Sequence, residues 1–80
     1  MPEVFRWGPY RFFFYSNEGT PVEPVHIHVR EGRTTAKFWI RPEVTLAGHS
    51  GFPRKVISKL TSVIEGRTNE IENAWNEHFG

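Results

Sequence analysis

Val25-His26-Ile27-His28-Val29-Arg30-Glu31-Gly32-Arg33-Thr34-Thr35-Ala36-Lys37-Phe38-Trp39-Ile40-Arg41 decides the fold. Two alternating runs flank a short polar turn that contains one glycine. Strand side chains alternate between faces, so Val25, Ile27 and Val29 share one side and His26, His28 and Arg30 the other. In the second run Ala36, Phe38 and Ile40 face the core, and Thr35, Lys37, Trp39 and Arg41 face outward. A hairpin with Arg30 opposite Thr35, Val29 opposite Ala36, His28 opposite Lys37, Ile27 opposite Phe38 and His26 opposite Trp39 matches core to core throughout. A slip by one residue would put Ile27 against an outward residue, so the pattern specifies this register.

Upstream, Tyr10 to Tyr15 reads as a strand rich in rings. Both of its alternating sets are aromatic, so the strand is expected to be covered on both sides or to lie against a partner. Gly8-Pro9 reads as a breaker before it, and Ser16 to Pro24 as a turn-rich loop. Downstream, Pro42 ends the hairpin, and Glu43 to Ala47 offers a short extended segment. Gly48-His49-Ser50-Gly51 reads as a loop that caps a helix beginning near Pro53. Val56, Ile57, Leu60, Val63 and Ile64 then follow helical spacing, and Gly66 stops that helix. A second helix opens at Asn69 with Glu72 as a capping-box pair, or at Thr68, and carries Ile71, Trp75, His78 and Phe79 on one face. The expected architecture is α+β: a three- to four-stranded antiparallel sheet with two C-terminal helices on one face.

Eighty residues make one domain, spanning residues 1–80. Ten basic residues face nine Glu and no Asp, for a net charge of +1, which excludes a polybasic tail and an acidic DNA mimic. The charge is uneven: residues 1–59 hold nine cations and five Glu, and residues 60–80 hold Arg67 against four Glu. With no cysteine there is no disulfide, thiol nucleophile or Cys-ligated metal. No apolar run reaches the roughly 20 residues of a membrane span. The start lacks a basic head followed by an apolar core, so a cytoplasmic protein is expected.

Pro24-Val25-His26-Ile27-His28-Val29, Ala36-Lys37-Phe38-Trp39-Ile40 with Pro42, Gly51-Phe52, and Trp75-Asn76-Glu77-His78-Phe79 occur in this order. Together they resemble a family of small bacterial and archaeal proteins known as the domain of unknown function 4160 family. Val25 departs from that family's pattern, which has a second proline there. The resemblance runs from about Tyr10 to the last residues. It implies a stand-alone domain, often encoded beside a second small protein, and a toxin–antitoxin-like pairing. It implies no established activity.

The residues themselves offer four sites. His26 and His28 project from one strand face and could act as general acid and base in RNA cleavage, with Lys37, Arg30 or Arg41 holding the phosphate. They could share a metal with His49, or with a glutamate such as Glu23 or Glu31, but no third ligand stands at a diagnostic spacing, so no metal or other cofactor is expected. Alternatively they are structural, His26 stacking on Trp39 and His28 lying beside Lys37. Arg30, Lys37, Trp39 and Arg41 form a binding patch suited to a small protein partner or to nucleic acid. Ser50 between two glycines lacks the spacing of an esterase elbow and has no Asp to complete a triad. The leading function is a binding or interaction module; the alternative is a metal-independent RNA-cleaving toxin-like enzyme using His26 and His28.

Overall fold

The computed structural model describes residues 3–16 and 23–80. Most of the turn-rich segment expected between Ser16 and Pro24 lies outside the described residues. Five antiparallel strands follow one another as neighbours: β1 (Glu3–Trp7), β2 (Tyr10–Phe13), β3 (His26–Glu31), β4 (Thr34–Trp39) and β5 (Thr45–His49). Two helices complete the fold, α1 (Arg54–Glu65) and α2 (Thr68–Phe79). The α+β class and the two helices agree with the sequence pattern. The strand count does not: there are five strands among the described residues where three or four were expected.

The central hairpin has the register that core-to-core matching specifies, from His26 opposite Trp39 to Arg30 opposite Thr35. Its turn is Gly32-Arg33, with Gly32 at φ +60°, the left-handed conformation a two-residue hairpin needs. The extra strand comes from the same device. Trp7 pairs with Tyr10, so Gly8-Pro9 is a hairpin turn, with Gly8 at φ +58°. A breaker and a tight hairpin turn use the same two residues, and the difference lies in whether Phe5 and Phe12 meet across it. Their rings stack at 4.3 Å.

The fifth strand is shifted relative to the sequence reading. Gly48 and His49 belong to β5, paired with Lys37 and Ala36. The Ser50 hydroxyl accepts a hydrogen bond from the Thr35 amide at 3.0 Å, while the Ser50 amide donates to the Thr35 carbonyl. Ser50 thus fastens the end of β5 to β4 instead of capping the helix. Glycine and histidine disfavour an isolated strand, but hydrogen bonds to an existing edge override that local preference.

One core unites the elements. Phe12, Phe14, Ile27, Val29, Ala36, Phe38, Ile40, Leu60, Ile64 and Ile71 are all buried in it. Removing a Val, Leu, Ile or Phe side chain from water contributes about 1.5–3 kcal/mol each. Phe12 and Phe13 are both buried, so β2 is covered on both sides as its two aromatic sets require. The carbonyl of Pro53 accepts from the amides of Val56 and Ile57, and α1 starts one residue after it. Gly66 terminates α1 in right-handed conformation. Neither Thr68 nor Asn69 caps α2: Arg67 is its N-cap residue and makes no side-chain cap bond. The Arg67 guanidinium instead lies over the Phe5 ring at 4.2 Å, which ties the inter-helix joint to β1.

The helices favour one side of the sheet. Trp7 lines a shallow groove with Ser58, Lys59, Ser62 and Val63 of α1. Glu3, Val4 and Phe14 line another with Glu70, Asn73, Ala74, Glu77 and His78 of α2. α2 also closes the sheet end where β2 stops and β3 begins, because Trp75 meets both Phe14 and His26. All five residues of β5 are exposed. Among the described residues, no helix is long and apolar enough to cross a membrane.

Candidate functional site

The sheet face opposite the helices collects the candidate residues. Antiparallel pairing puts Phe13 opposite His28, His28 opposite Lys37, and Arg11 opposite Arg30. Alternation then adds Trp39 and His26 to the same face. The face is a continuous set of rings and cations rather than separate sites.

His26 is not outward in the sense the alternation implies. It is fully buried, the only buried polar residue among those described. Its ring lies 5.4 Å from Trp39, 5.2 Å from His28 and 4.9 Å from Trp75. Its Nδ1 donates to the Pro24 carbonyl at 3.0 Å, which fixes the tautomer. The reason is tertiary. His26 opens β3 at the sheet end that α2 closes, so a position polar by strand periodicity is covered by Trp75. Strand periodicity alone does not contain that helix.

His28 is half-buried and sits among rings, 4.6 Å from Tyr15 and 5.7 Å from Phe13. The two imidazoles are edge to face rather than parallel, with interplanar angle 87°. The cross-strand contact of His26 with Trp39 and the pairing of His28 with Lys37 are both present.

His49 does not join them. It pairs with Ala36, which pairs with Val29, so it belongs to the opposite face and to the sheet edge. Its Nδ1 accepts from the Gly51 amide at 3.3 Å. Among the described residues, no group of three or more His, Cys, Asp or Glu side chains is placed to hold a metal ion.

The cations divide. Arg41 lies beyond the end of β4 and pairs with Glu72 of α2, so it fastens the helix to the sheet instead of extending the Lys37 patch. The hydrogen bond to the Glu72 carboxylate, reinforced by its charge, raises the Arg41 pKa against a smaller desolvation effect. Arg30 lies over the Phe13 ring at 5.6 Å, and its Nε is buried without a partner. Lys37 is the more available cation: its Nζ stands 4.3 Å above the Trp39 ring and 3.9 Å from Glu23. Trp39 itself is half-buried.

Phe13 and Tyr15 add aromatic coverage to this face. The signal is in the sequence, in the doubly aromatic run Tyr10–Tyr15, but its placement over His28 requires the β2–β3 register. The arrangement can stack a flat or apolar group against Trp39 beside a positive charge. It does not expose two imidazoles side by side. No curated protein and no solved structure matches the chain. A family model described as a domain of unknown function (DUF4160) matches residues 10–76, so the His-x-His-Val strand, the Lys-Phe-Trp strand and Trp75 all fall within the match, and the chain belongs to the DUF4160 family.

Proposed function

We propose that this domain is a protein-interaction module whose binding patch is centred on Lys37 and Trp39, with Arg30 at its border. The observation that carries the reading is the contrast within one face: His26 is wholly buried, while the Lys37–Trp39 cation–aromatic pair stays half-exposed. Catalysis by a histidine pair needs both rings within reach of substrate. Recognition needs an aromatic anchor with a charge beside it, the composition common in interface hot spots. The partner this reading favours is a second small protein, in a toxin–antitoxin-like pair, acting in the cytoplasm. Arg41, held by Glu72, positions α2 and leaves the patch smaller than the four residues Arg30, Lys37, Trp39 and Arg41 would make it.

The test is co-purification from the native host with tagged wild-type, Trp39→Ala and Lys37→Ala chains. The expected result is a stoichiometric small protein retained by wild type and lost from both variants, with their thermal unfolding unchanged. Retention unaffected by either substitution would overturn the reading. RNA cleavage abolished by His28→Ala but not by Trp39→Ala would replace it with the enzymatic alternative.

A further inference from the structure

The sheet is open, and its two edges differ in protection. β1 carries Glu3 and Arg6 and lies beside both helices. β5 is Thr45-Leu46-Ala47-Gly48-His49, without Lys, Arg, Glu or Pro, and every residue is exposed. Edge strands carry unpaired backbone donors and acceptors, and charges or proline on the edge are the usual guards against pairing. Ala47 forms a bulge, since Phe38 pairs with Leu46 and Lys37 with Gly48; the edge has no other guard. Leu46 belongs to the helix side, opposite the buried Phe38, yet is 40% exposed and lies outside the core.

The geometry points to a second copy of this chain as the occupant of the β5 edge, joined antiparallel about a two-fold axis into a ten-stranded sheet. Charge complementarity selects this occupant. In such a pair the Thr45 end of one strand meets the His49 end of the other. Exposed Glu43 lies two residues before Thr45. Exposed Arg33, in the β3–β4 turn, lies at the His49 end, because Ala36 pairs with His49 and the Ser50 amide bonds to the Thr35 carbonyl. Two-fold pairing therefore brings Glu43 towards Arg33 of the second copy, twice. Among the described residues neither side chain takes part in an ion pair within the chain. The uncharged strand introduces no repulsion between copies. Leu46 of each copy gains cover from the other, removing an apolar group from water. The edge is five residues long, so the interface falls in the small class below about 1,200 Å², and the dimer is a concentration-dependent one. This inference is independent of the Lys37–Trp39 patch.

Sedimentation equilibrium of the full chain from about 10 μM to about 1 mM, a span over which weak dimers of this size class form, tests it. A monomer–dimer equilibrium is expected. Leu46→Lys should weaken it by about tenfold or more. Glu43→Arg should weaken it by about fivefold through two exposed pairs, and adding Arg33→Glu should restore it. Trp7→Lys, at the other exposed large apolar side chain among the described residues, should leave it unchanged. Thermal unfolding of each variant separates association from folding, and the charge swap decides the matter if Leu46→Lys fails to fold. A monomer at every concentration, a dimer insensitive to Leu46 and to the charge swap, or a dimer lost with Trp7→Lys would each overturn the proposal. So would β5 amides protected from exchange only by a different protein.

Discussion

The β1 and β5 sides of one sheet show how differently edge strands can be treated. At β1, Phe5 stacks on Phe12 and lies beneath Arg67, both helices are close, and Glu3 accepts hydrogen bonds from Arg6 and Arg11. At β5, Ser50 fastens the end of the strand to β4, and its side chains are all exposed. The difference teaches where stability and availability reside. Residues of the first region hold the core together. Those of the second are free to meet another molecule with little loss to the fold.

The comparison yields a graded series of expected outcomes. Phe12→Ala, at a site with no exposure in the stack beside β1, should cost about 3–5 kcal/mol in chemical denaturation, from lost transfer energy plus the cavity left behind. His26→Ala should cost about 1–3 kcal/mol, because it removes a buried ring and leaves the Pro24 carbonyl without its donor. A near-neutral result would mean that the helix-closed end of the sheet is looser than its ring contacts imply. Leu46→Ala, on the open side, should change stability by no more than about 0.5 kcal/mol, as at an exposed surface position. A loss as large as that at Phe12 would erase the distinction between the two sides.

The smallest effect is electrostatic. Partial desolvation pulls the Glu3 carboxyl upward, but hydrogen bonds and charge from Arg6 and Arg11 outweigh it and hold its pKa below the usual glutamate value. A lowered carboxyl pKa favours the folded state above the unfolded value, and that contribution is lost as pH falls through the folded one. Glu3→Gln should therefore lower stability slightly at neutral pH and flatten the acid limb, so that the wild-type and variant curves converge in acid. An identical acid limb in the variant would show that these exposed pairs do not act on β1.

The central hairpin was legible because each face of a strand repeats every second residue, so thirteen residues fix a register without reference to the rest of the chain. The apolar stripe of α1 was legible for the same kind of reason, at a period of 3.6. β1 was not, since Gly8-Pro9 reads equally as a stop or a turn until Phe5 has Phe12 to stack on. β5 was misplaced by two residues because glycine and histidine take strand form only when β4 supplies hydrogen bonds.

The candidate site divides along the same line. Strand alternation by itself put His26, His28, Lys37 and Trp39 on one face and paired them correctly. Only tertiary structure buried His26, drew Arg41 to Glu72 and set His49 on the opposite face. The physical reason is range. Side-chain alternation is a property of neighbouring residues and is written in the sequence. Burial depends on what arrives from elsewhere, here Trp75, which is far along the chain from His26 and reaches it only when α2 closes the end of the sheet.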